Sequence, residues 1–121
     1  MKSFKVLLID DEEELVSTFV ERLEIRGINA VAATRGGEAL KLIEEDGFNV
    51  VVVDLKMPGI GGMELINLLK KSHPDIKVIL ITGHVSHSDE PEDMYNGAFE
   101  VLLKPFSLDR LLEVINNAIN S

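Results

Sequence analysis

Four short apolar runs, each ending in a chemically equipped residue, constrain this chain more than anything else in it. Val6-Leu7-Leu8-Ile9 runs into Asp10-Asp11. Val50-Val51-Val52-Val53 runs into Asp54 and then Leu55-Lys56-Met57-Pro58-Gly59. Val78-Ile79-Leu80-Ile81 runs into Thr82, and Val101-Leu102-Leu103 into Lys104. Unbroken β-branched and leucine runs of this length suit strands buried on both faces, the pattern of parallel sheets. Parallel strands share one C-terminal edge, and ligands of open α/β sheets bind there. Three carboxylates, a hydroxyl and an ammonium would then converge on that edge.

Between these runs lie helical periodicities. The pattern predicts strands over 4–9, 28–33, 49–53, 76–81 and 101–103, the last starting as early as Phe99. It predicts helices over 12–26, 36–46, 61–72, 88–96 and 107–120. Leu15, Phe19 and Leu23 form the inward stripe of the first helix, with Val16 and Val20 beside it. Leu65, Leu68 and Leu69 are expected inward on the third, and Leu108, Leu111, Leu112, Ile115 and Ile119 on the last. Gly27 and Gly47 are expected to stop the first two helices, and Ser107 to cap the last. The stretch 84–93 is polar and acidic, so its helix is expected to be short and mobile. Strands alternating with helices predict a doubly wound α/β fold: a five-stranded parallel sheet with helices on both faces and right-handed crossovers.

With 121 residues, the chain is sized for a single domain spanning 1–121. Its formal charge of −9 argues against direct nucleic-acid binding, which needs clustered Lys and Arg. It has no cysteine, which removes thiolate metal sites and thiol catalysis and fits a reducing compartment. No apolar stretch approaches the roughly 20 residues of a membrane span, and the first residues do not read as a signal peptide. A cytoplasmic location is expected.

The acids suit a hard divalent cation: magnesium first, with manganese as a second candidate. Clustered carboxylates repel one another without a cation. Asp54 could attack phosphorus and form an acyl phosphate, while Lys104 and Thr82 held phosphoryl oxygens. Each residue also has a plainer reading. Asp10 or Asp11 could cap the next helix, Thr82 could bond backbone, and Lys104 could be solvated. His84 and His87 fit a solvated loop better than a metal pair, and His73 before Pro74 marks a helix end. Tyr95 is expected on the surface and Phe99 in the core. The segment Pro58-Gly59-Ile60-Gly61-Gly62 lacks the lysine and spacing of a phosphate-binding P-loop.

The set Asp10-Asp11, Asp54 with Met57-Pro58-Gly59, Thr82-Gly83 and Lys104-Pro105-Phe106 resembles the receiver domain of two-component response regulators, across essentially the whole chain. The resemblance implies a flavodoxin-like fold with strand order 2-1-3-4-5. It implies that Asp54 accepts a phosphoryl group from the phosphohistidine of a sensor histidine kinase or phosphotransfer protein. It also implies that Asp10, Asp11, Asp54 and the backbone carbonyl of Lys56 hold magnesium, Asp10 through a water. Thr82 and Lys104 would contact the phosphoryl group, and the Lys104–Pro105 bond would be cis. Output would run through the 88–96 helix, the fifth strand and the last helix, toward an output domain, another protein or a homodimer.

The resemblance makes Thr82 and Val101 the expected switch positions. The family often carries an aromatic ring where Val101 stands, so a ring-flip readout is not expected here. Lys56 and His84, each two residues past a key side chain, are candidates for tuning the lifetime of the phosphorylated state. A haloacid-dehalogenase-type phosphohydrolase is the enzymatic alternative, but it places two aspartates at i and i+2 after the first strand. A receiver-like binding module that is never phosphorylated is the other.

Overall fold

The computed structural model describes residues 4–55, 62–83 and 98–121. Among them are five strands: β1 (Lys5–Ile9), β2 (Asn29–Ala33), β3 (Val50–Asp54), β4 (Lys77–Thr82) and β5 (Glu100–Leu103). Four helices accompany them: α1 (Glu13–Ile25), α2 (Gly36–Glu45), α3 (Gly62–Ser72) and α4 (Leu108–Ile119). The predicted helix over 88–96 lies outside the described residues, as do Lys56, His84, His87 and Tyr95. All strand pairs are parallel, in the order β2-β1-β3-β4-β5.

Alternation along the strands builds two cores. Val6, Leu8, Val50, Val52, Ile79 and Ile81 face one side, where Val16 and Leu23 of α1 and Leu111, Val114 and Ile115 of α4 cover them. Leu7, Ile9, Val51, Val53, Val78 and Leu80 face the other, under Ala39 and Ile43 of α2 and Leu65, Ile66 and Leu69 of α3. In the central strand β3 the run Val50–Val53 is therefore apolar at every position because both faces are covered, and Asp54 ends it.

Several local expectations need correction. Leu68 is exposed, because α3 packs through Leu65, Ile66 and Leu69 and Leu68 falls one step off that stripe. On α4 the fully buried positions include Val114, while Leu112 and Ile119 pack half-buried against the same core and Leu108 is half-buried. Phe99 is exposed rather than core, and its ring lies 5.7 Å from Lys77 Nζ, a cation–π contact. Gly27 follows α1 with φ +83°, the left-handed conformation a glycine terminator supplies. Gly47 does not use that device: Asp46 is already extended where α2 ends. Ser107 caps α4, its hydroxyl accepting from the Arg110 amide at 3.1 Å, a contact worth about 1 kcal/mol.

Candidate functional site at the sheet edge

The strands carry the reactive groups one residue further than their apolar runs suggest. Asp54 is the last residue of β3 and Thr82 the last of β4. Backbone bonds extend the ladder past these ends: the Asp10 amide donates to Ala33 O at 3.1 Å, Leu55 to Ile81 O at 2.8 Å and Lys104 to Thr82 O at 2.9 Å. The start of each connecting loop is thus tied to the neighbouring strand, so Asp10, Asp54, Thr82 and Lys104 share one edge.

Asp10, Asp54 and Thr82 are the buried polar residues of the described chain, at 4%, 6% and 2% exposure. Asp11 beside them is exposed. Each of Asp10, Asp11 and Asp54 offers a carboxylate oxygen, and these oxygens lie within 4.8 Å of one another. Oxygen donors so gathered fit a small hard cation that keeps part of its water shell.

Lys104 follows β5 and enters this cluster. Its Nζ donates to Asp54 Oδ2 at 2.8 Å and lies 3.3 Å from Asp10 Oδ2 and 3.6 Å from Glu12 Oε1. The Lys104–Pro105 peptide bond is cis. Beyond it, Phe106 stacks on Phe19 of α1 with ring centroids 5.5 Å apart, and both rings line a small, mainly apolar gap with Asp10. Burial works against the Lys104 charge, but the hydrogen bond to Asp54 and the charges of Asp10 and Asp54 outweigh it and hold the ammonium above its usual range. Lys104 is therefore a cation throughout the physiological range.

The Asp10 pKa is also raised, from its ordinary value of 3.8, which for a carboxyl disfavours the charged form. Burial raises its pKa most and the negative charge of Asp54 adds to this, while the Glu12 amide and Lys104 pull it back. The Glu12 amide donates to Asp10 Oδ1 at 3.0 Å. A carboxyl raised in the folded state costs stability as pH climbs from its unfolded value through its folded one. At neutral pH that cost is fully present without a cation. Asp10→Asn keeps an oxygen for the Glu12 amide and removes the charge. In EDTA at pH 7 its melting temperature should exceed the parent's by a few degrees, and the gap should close below the ordinary carboxylate range. A lower melting temperature at pH 7 would contradict this.

Glu12 is the participant the sequence reading missed. The signal was a third acid directly after Asp10-Asp11, legible only as part of a helix start. The structure instead gives Glu12 a non-helical backbone before α1 and no side-chain capping bond. Val101, the other predicted switch position, is half-buried against the α2–α3 side of the core and registers with Leu80.

A doubly wound parallel sheet of this order, with carboxylates at the ends of β1 and β3 and a lysine after β5, defines a receiver-type α/β domain. The family model for the response regulator receiver domain matches residues 6–116, and the chain belongs to that family. Curated relatives include the C4-dicarboxylate transport transcriptional regulatory protein DctD of Pseudomonas aeruginosa, 39% identical over 116 residues, 95% of this chain and 25% of that protein. The DctD of Rhizobium meliloti is 32% identical over 93% of this chain and 25% of its own length. The chain thus spans about a quarter of the length of these regulators. Among solved structures, a response regulator receiver domain protein from Clostridium thermocellum superposes with TM-score 0.86 at 38% identity, covering 97% of this chain and 94% of that one. The regulator TrrA of Thermotoga maritima, solved in complex with Mg2+-BeF, gives 0.84 at 30% identity, covering 95% and 98%. The beryllofluoride-activated NtrC4 receiver domain dimer gives 0.84 at 38%, covering 96% of each chain.

No described helix is long and apolar enough to cross a membrane.

Proposed function

We propose that this receiver domain takes a phosphoryl group onto Asp54 from the phosphohistidine of a sensor kinase or phosphotransfer protein. The observation that carries the proposal is the setting of Asp54: buried at a strand end, with an ammonium at 2.8 Å and two more carboxylates close enough to share a cation. An Asp54 carboxylate oxygen attacks phosphorus, the P–N bond to the donor imidazole breaks, and an acyl phosphate forms. Lys104 turns an N–H to one phosphoryl oxygen and Thr82 its hydroxyl to another. Magnesium held by Asp10, Asp11 and Asp54, with the Lys56 carbonyl, would neutralise charge on the phosphoryl oxygens. A Cβ at Gly83 would meet nothing within 4 Å among the described residues, and the bare position suits the approach of a donor ring.

The relatives support this reading. TrrA was solved with Mg2+-BeF, and NtrC4 was activated by beryllofluoride as a dimer. The whole 1–121 span acts as one domain in this proposal. Phosphorylation draws Thr82 and Lys104 onto the phosphoryl group and biases a two-state equilibrium. The 88–96 segment, β5 and α4 then present the output surface to another domain, a protein or a second copy. Val101 responds by packing shifts, not by turning a ring.

Incubation with acetyl phosphate and magnesium, followed by intact-mass measurement, tests the proposal. One added phosphoryl group, suppressed by EDTA, is expected. An unchanged mass with acetyl phosphate and with a phosphohistidine donor would favour a receiver-like binding module. Lys56 and His84 are proposed to flank the attacking water during dephosphorylation. Decay of the phosphoprotein should therefore change in Lys56→Ala or His84→Ala, and unchanged decay in both would remove that role.

A further inference from the structure

We infer that Glu12 is a positioning residue that occupies Lys104 until the phosphoryl group arrives and then gives up its place. The inference rests on the phosphoryl-accepting role proposed for Asp54.

An ammonium carries three N–H donors. Around Lys104 Nζ stand three anionic oxygens: Asp54 Oδ2 at 2.8 Å, Asp10 Oδ2 at 3.3 Å and Glu12 Oε1 at 3.6 Å. Glu12 faces the ammonium at ion-pair distance, beyond hydrogen-bond range, on the side left open by Asp54 and Asp10, so a phosphoryl oxygen that comes to the third N–H displaces Glu12. Asp54 and Asp10 are buried side chains at the strand ends, whereas the Glu12 side chain is 63% exposed and makes the longest contact. Water can re-solvate Glu12 at once, so Glu12 is the cheapest of the three to release. Its remaining contacts agree with such a role. The side chain makes no capping bond to α1, and the bond to Asp10 comes from the Glu12 backbone amide, independent of the side chain. Replacing the carboxylate therefore leaves the loop geometry and the start of the helix intact.

The resting pair opposes uptake by as much as it stabilises Lys104 at the rim. Exposed ion pairs of this kind are modest, so Glu12→Gln should speed phosphoryl uptake by about two- to fivefold. The gain should shrink at high salt, because an exposed pair is screened. A purely structural role would show neither the salt dependence nor a dependence on Lys104.

The experiment measures uptake from acetyl phosphate with magnesium by intact mass, at low and high ionic strength. It compares the parent, Glu12→Gln, Lys104→Met and the double variant. The expected result is faster uptake in Glu12→Gln, less so at high salt, and no effect of Glu12→Gln in the Lys104→Met background. Equal uptake by the parent and Glu12→Gln would overturn the inference alone, as would slower uptake in Glu12→Gln or an acceleration that persists without Lys104. No uptake by the parent would overturn the Asp54 reading, and this inference with it.

Discussion

Asp54→Asn should take up no phosphoryl group under conditions that modify the parent fully. The substitution is nearly isosteric, so the sheet edge stays built, but an amide oxygen is a poor nucleophile and cannot form an acyl phosphate that persists. Asp10 and Asp11 remain, yet neither stands where Asp54 does: Asp11 is exposed, and Asp10 lies under Lys104 with its Oδ1 already engaged by the Glu12 amide. The variant should also bind magnesium more weakly, having lost one of three gathered carboxylates. Intact mass after acetyl phosphate treatment reads the first effect, and a magnesium titration followed by melting temperature reads the second. Full modification of Asp54→Asn would move the acceptor elsewhere.

Lys104→Met should slow phosphoryl uptake by roughly 10²–10³-fold, the usual cost of removing one fixed electrostatic stabiliser of the transition state. Methionine keeps the length and apolar stem and deletes the charge. The same change leaves Asp10 and Asp54 without their shared cation, so the metal-free fold should lose stability at neutral pH. The sign follows from Asp10: its pKa is already raised by burial and by Asp54, and losing Lys104 raises it further. The penalty therefore grows as pH rises above the ordinary carboxylate range. Magnesium should restore most of the stability but not the rate. Uptake as fast in Lys104→Met as in the parent would show that the ammonium does not meet the phosphoryl group.

Most of the sheet was legible because β1, β3 and β4 are buried on both faces and their runs are uninterrupted. Their ends were legible because Asp10-Asp11, Asp54, Thr82 and Lys104 each close a separate run; any one of them alone also fits a plainer role. The strand order, by contrast, came from the family resemblance, since no periodicity states which strand lies beside which. Leu68 and Phe99 failed for a common reason: apolar identity alone does not fix a face. Leu68 sits at the margin of the buried stripe formed by Leu65, Ile66 and Leu69, and Phe99 stands where edge strand β5 begins, covering the Lys77 ammonium with its ring. The part of Glu12 in the site was illegible because it depends on Lys104 returning from the far end of the chain. The pattern of strand ends placed Lys104 on the edge with Asp10, Asp11 and Asp54, but spacing does not tell that its ammonium also comes within 3.6 Å of Glu12.

The central claim is that Asp54, and no other side chain, receives the phosphoryl group. Borohydride reduces an aspartyl phosphate to homoserine, so reduction of the acetyl-phosphate-treated protein followed by peptide mapping locates the acceptor directly. Homoserine at position 54, absent when acetyl phosphate or magnesium is omitted, is the predicted result. Homoserine at position 10 or 11, or phosphate retained on a histidine, hydroxyl or lysine, would contradict it.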